Sequence, residues 1–269
     1  MEPLGLVAGS GRFPVLFAQA ATRQGRTVVA AAHEGETDPD LERHVSSLRW
    51  VKLGQLGAIA RALREGGCAE VVLCGGIRKL RLFDLRLDFL AVKAFARLRS
   101  LGDDAALRAV AGALEQEGLR VVSPLPYVPD LLAPAGPVGS RKLSAGQRAD
   151  AEVGMAVARA LGACDVGQTV VVRRGVVVAV EAIEGTDACI ARAGSLAREG
   201  AVVVKVSKPQ QDLRFDVPAV GPKTLAAMEA ARCSALVVEA GRTLLLDREE
   251  LVAGADRAGI AVESFEPGA

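Results

Sequence analysis

The stretch GLVAGSGRFP at 5–14 decides how the rest of the chain reads. Its first four residues form a short run of strand character. Gly9-Ser10-Gly11 then makes a turn. Beyond it Phe13, Leu16, Phe17, Ala20 and Ala21 recur at the i, i+3, i+4, i+7, i+8 spacing of one helix face.

The alternation continues outward from there. Strands are expected over 27–32, 49–53, 71–74 and 120–122, and helices over 55–65, 86–99 and 104–117. Strands alternating with helices imply a parallel sheet covered on both faces. Continuous Val, Leu and Ala runs suit strands buried on both sides. Between 123 and 139 stand Pro124, Pro126, Pro129, Pro134 and Pro137. Such a density of proline cannot continue a helix or an inner strand, so an interdomain linker is expected.

The second half restarts with a helix over 148–161. Strands over 169–172 and 176–182, joined by Arg173-Arg174-Gly175, read as a hairpin. A helix follows Thr186, then a strand over 201–206 and a helix over 223–233. Strands over 235–239 and 243–246, a helix over 248–257 and a strand over 260–265 complete the chain. Hairpins mixed with βα units predict a mixed sheet. The expected fold is α/β: a Rossmann-like parallel-sheet domain over 1–127, a proline-rich linker over 128–146, and an α/β domain with a mixed sheet over 147–269.

Composition excludes several functions. The 269 residues carry 33 Lys or Arg against 32 Asp or Glu, a formal charge of +1. That balance speaks against wholesale nucleic-acid binding, which needs a cationic excess. The two histidines, His33 and His44, exclude a histidine-rich metal site, and both are expected at the surface. One Trp, one Tyr and seven Phe are too few for a base-stacking platform. The five cysteines form no CxxC pair and read as small buried hydrophobes in a reducing compartment. The opening residues lack a basic n-region and a long apolar core, and the most apolar run, 169–183, is broken by Arg173, Arg174 and Glu181. Neither a signal peptide nor a spanning helix is expected, and the location is expected to be cytoplasmic.

Three segments carry chemistry. Gly9-Ser10-Gly11 lets backbone approach a phosphate at the start of a helix, where unpaired N–H groups and the dipole favour an anion. Pro14 stands where a dinucleotide fingerprint has its third glycine, which argues against a nicotinamide cofactor, although Glu34 lies near the position of a ribose-binding acid. A plain strand-to-helix turn is the alternative. EAIEGTD at 181–187 places three acids at a strand exit, suited to Mg²⁺; alternatively Thr186 caps the next helix and the acids favour its dipole. Lys205-Val206-Ser207-Lys208-Pro209 and Arg214-Phe215-Asp216-Val217-Pro218 put cations and a carboxylate on a proline-stiffened stretch. Cations there can neutralise a diphosphate, and a carboxylate can hold a metal or accept a proton from water; a rigid surface loop is the alternative. Asp103 in Gly102-Asp103-Asp104 reads as a helix cap, DVGQ at 165–168 as a turn, and EAGR at 239–242 as a hairpin turn.

GLVAGSGRFP, GDD at 102–104, DVGQ at 165–168, AVEAIEGTDACI at 179–190, VKVSKPQQDLRFDVPAVG at 204–221 and VEAGRTLLLDRE at 238–249 occur together in this order. In them the chain resembles the bacterial UDP-2,3-diacylglucosamine pyrophosphatases of lipid A synthesis, the type unrelated to calcineurin-like phosphoesterases. Ser10 interrupts what is usually a run of glycines in that family. The resemblance implies a two-domain hydrolase that splits UDP-2,3-diacylglucosamine into UMP and 2,3-diacylglucosamine 1-phosphate. It implies a requirement for Mg²⁺ or a similar ion such as Mn²⁺, with water attacking the sugar-side phosphorus. The family's essential aspartate falls on Asp216. On this reading Asp216 holds the ion or orients water, Glu184 and Asp187 assist, and Asp187 joins Asp216 as a metal ligand. Lys205, Lys208 and Arg214 neutralise phosphates, while Gly9, Ser10, Gly11, Gln168 and Thr186 bind substrate. Catalysis and the two acyl chains are assigned to the C-terminal domain. Peripheral contact with the inner membrane and self-association are further expectations. A nucleotide-sugar or lipid-binding protein without catalysis is the competing reading.

Overall fold

A computed structural model describes residues 2–77, 87–96 and 103–267, apart from the side chains of 103 and 104. It is α/β and divides into two compact units. The first comprises Met1–Pro129 with Asp212–Asp216, and the second Asp130–Gln211 with Val217–Ala269.

The first unit holds a parallel sheet of β1 (Leu4–Ala8), β2 (Val28–His33), β3 (Ser47–Val51), β4 (Glu70–Cys74) and β5 (Arg120–Val121). Their order is β3-β2-β1-β4-β5. β1 and β2 are buried along their whole length, as expected for strands covered on both faces. Helices α1 (Phe13–Arg23), α2 (Leu56–Glu65), α3 (Phe89–Phe95) and α4 (Asp103–Gln116) belong to this unit. The remainder of the helix expected over 86–99, and Gly102 before α4, lie outside the described residues. Ile59, Leu63, Val71 and Leu114 pack in one apolar cluster, and Phe215 from the Asp212–Asp216 stretch joins it. The chain lays β2 and β3 on one side of β1, then β4 and β5 on the other. Strand order thus reverses between β1 and β4, and open α/β sheets bind ligands outside the carboxyl ends of the strands at such a point.

The second unit contains β6 (Gly136–Pro137), α5 (Ala145–Ala163), β7 (Thr169–Arg173), β8 (Val176–Val180), α6 (Thr186–Ala197) and β9 (Val202–Lys205). It continues with β10 (Ala219–Val220), α7 (Pro222–Ala230), β11 (Ala235–Glu239), β12 (Leu244–Leu245), α8 (Arg248–Ala258) and β13 (Ala261–Phe265). The main sheet runs β6-β13-β11-β9-β7-β8 and is mixed. β9, β11 and β13 are parallel, whereas β7 opposes β9 and β8, and β6 opposes β13. Within the proline-rich 128–146 segment lie a 3-10 turn at Pro129–Leu131, β6, and a bridge from Leu132 to Leu244.

Local chemistry sets these elements. Ser144 and Gln147 form a reciprocal capping box that starts α5. Arg174 and Gly175 both have positive φ, as a two-residue hairpin of primed type requires, and the Asp150 carboxylate accepts from both of their N–H groups. EAGR at 239–242 is not a hairpin turn. β11 pairs with β9 and β13, and β12 leaves the main sheet to pair with β10, because buried parallel neighbours already flank β11. No described helix is long and apolar enough to cross a membrane.

Cys68, Cys74, Cys189 and Cys233 are buried, but Cys164 is exposed, past the end of α5. Burial pushes the Cys68 and Cys233 thiols up to about 11 and the Cys189 thiol up to about 12. Thiols so weakly ionised are poor nucleophiles.

Candidate functional site

In the first unit the glycine turn meets the loop after β4. Ser10 N–H donates to the Gly76 carbonyl at 2.6 Å, Gly76 N–H donates back to Ser10 at 3.2 Å, and the Ser10 hydroxyl donates to the same Gly76 carbonyl at 2.9 Å. A Cβ on Gly9 would run into the Gly76 carbonyl oxygen. The glycines therefore serve first to let the β1 and β4 exits touch. Gly11, at φ +91° with nothing near its missing Cβ, is the open member of the turn.

His33 is buried at the end of β2, against the surface position expected for it. Its Nδ1 lies 2.9 Å from the Ala8 carbonyl, which also accepts from the Thr37 hydroxyl at 2.6 Å, and Thr37 accepts the His33 N–H at 2.9 Å. Burial lowers the imidazole pKa, and a carbonyl oxygen at this distance calls for a proton on Nδ1. This closed ring of bonds holds β1 where it enters the glycine turn. His44 is half-buried, beside Gln19 at 3.2 Å and Asp40 at 3.5 Å.

Asp216 also belongs to the first unit. Phe215 anchors its segment in the core. The Arg214 guanidinium lies 5.6 Å from the Phe215 ring centre and makes a forked contact with Asp212, Nε at 3.0 Å and Nη2 at 2.7 Å. Arg214 accordingly holds the Asp212 carboxyl below its usual range. Asp216 N–H donates to the Asp212 carbonyl at 3.1 Å, which turns the chain just before Pro218.

In the second unit, several of the expected residues meet at one end of the sheet. β8 delivers Glu181, β9 ends at Lys205, β7 begins at Thr169 and α6 begins at Thr186. The Thr186 hydroxyl donates to Glu181 Oε1 at 3.1 Å and accepts from Lys205 Nζ at 3.1 Å. Lys205 also donates to the Ala219 carbonyl at 2.9 Å, and the Thr169 hydroxyl lies 3.3 Å from that of Thr186. Thr186 is not the helix cap. Gly185 occupies that position with φ +83°, which frees the Thr186 hydroxyl for the cluster. Gln168 gives its N–H to Glu181 Oε2 at 3.4 Å, and its side-chain Oε1 is buried without a partner among the described residues. A Cβ on Gly167 would strike the Glu181 carbonyl, so DVGQ needs glycine there for close approach rather than only for a turn.

The other expected residues of this unit form ion pairs of their own. Lys208, buried, pairs with Asp165 at 2.6 Å. Asp187 faces Lys223 at 3.1 Å, and Glu184 faces Arg192 at 2.7 Å. Two carboxylates outside the expected set stand out. Glu181 was visible only as the first acid of EAIEGTD. Glu239, at the end of β11, accepts Ser207 N–H at 2.8 Å and pairs with Arg159 at 3.4 Å. The signal for Glu239 was an acid closing an otherwise apolar strand.

The hydrogen bond from Arg192 holds the Glu184 carboxyl below its usual range. A depressed acid contributes stability above its unfolded pKa and loses it as pH falls through the lower folded value. Arg192→Gln is therefore expected to move the Glu184 titration upward, toward an ordinary glutamate, in a carboxyl-carbon NMR titration. An unmoved midpoint would assign the shift to the backbone N–H groups instead.

Residues 3–131 match the LpxI N-terminal domain and residues 134–263 the LpxI C-terminal domain. The chain belongs to the LpxI family. A relative from Caulobacter vibrioides, UDP-2,3-diacylglucosamine pyrophosphatase LpxI, is 34% identical over 278 residues, covering 99% of this chain and 99% of that protein. Two solved structures that the chain resembles are far more distant. The biotin carboxylase subunit of a pyruvate carboxylase is 16% identical at TM-score 0.29, covering 64% of this chain and 35% of that one. A biotin carboxylase complex from Campylobacter jejuni is 16% identical at TM-score 0.24, covering 73% of this chain and 42% of that one. This LpxI-family chain thus spans about a third of the first of these, and at such scores neither informs function.

Proposed function

We propose that this chain hydrolyses the diphosphate of UDP-2,3-diacylglucosamine, releasing UMP and 2,3-diacylglucosamine 1-phosphate for lipid A synthesis. The observation that carries this reading is the 34% identity with the Caulobacter vibrioides pyrophosphatase over 99% of both chains. The chemistry of the residues is consistent with it. Diphosphate hydrolysis needs charge neutralisation and a positioned water rather than a covalent nucleophile. Lys205 supplies positive charge at the end of β9 in the second sheet and Lys208 just beyond it, and Arg214 does so two residues before Asp216. Asp216 accepts a proton from the attacking water or orients it. The glycine turn at the β1–β4 switch point receives the nucleotide, with Gly11 as its open member. In the second unit Gln168 Oε1, buried and without a partner among the described residues, is a further acceptor for substrate. Thr186 orients the Lys205 ammonium by accepting one of its hydrogens.

A divalent ion such as Mg²⁺ or Mn²⁺ is part of the proposal. Among the described residues no three His, Cys, Asp or Glu gather into a ready-made cage. Mg²⁺ does not need one, since one or two carboxylates with substrate phosphates and water suffice. Asp216 in the first unit and Asp187 in the second each offer the hard oxygen donors that such an ion takes, and the Asp187 carboxylate would exchange its contact with Lys223 for it. When bound, the ion would neutralise charge growing on the leaving phosphate. Cytoplasmic location, peripheral membrane contact and self-association complete the proposal.

The test is turnover of UDP-2,3-diacylglucosamine in ¹⁸O-labelled water, with and without Mg²⁺, read by mass spectrometry. The label is expected in the lipid phosphate and not in UMP. Tight binding without UMP release under any divalent ion would establish the non-catalytic reading instead.

A further inference from the structure

We propose that Glu181 is a positioning residue, acting through Thr186 to hold the Lys205 ammonium in one orientation. This role rests on the hydrolase activity proposed above. The hydrogen bonds allow one order only. An ammonium has hydrogens and no lone pair, so Lys205 Nζ donates to the Thr186 hydroxyl oxygen at 3.1 Å. A carboxylate oxygen accepts, so the one Thr186 hydrogen goes to Glu181 Oε1 at 3.1 Å. With that hydrogen spent, the 3.3 Å contact between the Thr169 and Thr186 hydroxyls has Thr169 as its donor. The Thr186 oxygen thus gives one hydrogen and receives two, which fills its capacity. None of that capacity is left for substrate. Thr186 therefore reaches the reaction through Lys205 and not by touching the diphosphate.

Glu181 is itself fixed. Its N–H donates to the Thr169 carbonyl at 2.8 Å, and the Gln168 N–H approaches its Oε2 at 3.4 Å. Gly167 passes so close to the Glu181 carbonyl that no Cβ fits between them. Lys205 is pinned from a second side by the Ala219 carbonyl at 2.9 Å. Glu181, Thr169 and Lys205 are all buried. A cation held in this way is already in place when charge develops on a phosphate, and preorganised charge stabilises a transition state. Without the Glu181 carboxylate, the Thr186 hydrogen is no longer directed, and a negative charge is lost from the surroundings of a buried cation.

The test is a double-mutant cycle on UMP release by the full chain, with Glu181→Gln, Lys205→Met and the two combined. Glutamine keeps the shape of glutamate and removes its charge. Lys205→Met is expected to lose about 10²–10³-fold in kcat, the range for a group that stabilises developing charge. Glu181→Gln is expected to lose about 10–100-fold, the range for a partner that orients such a group. The double variant is expected to be no slower than Lys205→Met, because Glu181 then has nothing left to orient. Losses that multiply would overturn the proposal, since a purely structural role predicts them. Thr186→Ser, which keeps the hydroxyl, is expected to lose at least about tenfold less than Thr186→Val, which removes it; equal losses would overturn it too. A second arm needs no turnover. In ¹H–¹⁵N spectra of the lysine ammonium groups, the Lys205 signal is assigned by its loss in Lys205→Met. It is expected to be sharp in wild type and to broaden in Glu181→Gln and Thr186→Val, as its hydrogens exchange faster with water. A signal absent from wild type, or unchanged in both variants, overturns the proposal. Wild-type protein that shows this pattern but releases no UMP overturns the hydrolase reading alone.

Discussion

Asp216→Ala is expected to lose about 10²–10⁴-fold in turnover of UDP-2,3-diacylglucosamine, the range for removing a positioned acid–base group. Fold should survive. The segment is held by Phe215 in the core and by the Arg214–Asp212 fork, neither of which involves the Asp216 carboxylate. The informative comparison is Asp216→Asn, which keeps the shape and removes the charge. If charge is what the reaction uses, the asparagine variant falls as far as alanine. The measurement is UMP release under saturating Mg²⁺, with a thermal melt to establish that both variants are folded. Near wild-type turnover in the alanine variant would sink the assignment of Asp216. Uridine-nucleotide affinity is expected to change much less than turnover, because the proposed role is in the chemical step.

Gly9→Ala is expected to cost about 1–3 kcal/mol of stability, the range for forcing an extra methyl group into a filled site. The added carbon meets the Gly76 carbonyl oxygen and the Gly75 backbone at 3.0 Å, and neither is the flexible end of a side chain. Relief requires the β1 and β4 exits to separate, which breaks the Ser10–Gly76 bridge. Gly11→Ala makes the contrast. It meets no atom within 4 Å, but its φ of +91° is one that L side chains rarely adopt, so its cost is backbone strain alone. Thermal melts should rank wild type above Gly11→Ala and Gly11→Ala above Gly9→Ala. A Gly9→Ala midpoint equal to wild type would mean that the two loops are not held together as described.

Much of the architecture was legible because it is written in local periodicity. The strand–turn–helix opening, the alternation through β4 and the hairpin at Arg174-Gly175 each depend on neighbours within a few residues. Burial and partnership were not legible in the same way. His33 read as a surface residue because two histidines carry no pattern, yet β2 ends beneath the Ala8 carbonyl and draws the ring inward. The alternative reading of Thr186 as a cap drew on a local pattern, whereas Gly185 takes that position and releases the hydroxyl to Glu181 and Lys205.

By itself the sequence determined the α/β class, the restart of the pattern after the prolines, and the chemical palette of carboxylates, lysines, arginines and glycine turns. These follow from residue type and short-range spacing, which survive without coordinates. Only the tertiary structure decided that β12 leaves the main sheet, that Phe215 carries the Asp216 segment into the first unit's core, and that Glu181, Thr186 and Lys205 share one hydrogen-bonded cluster. Such pairings join residues distant in the chain, and their partners are chosen by register and burial rather than by any pattern along it.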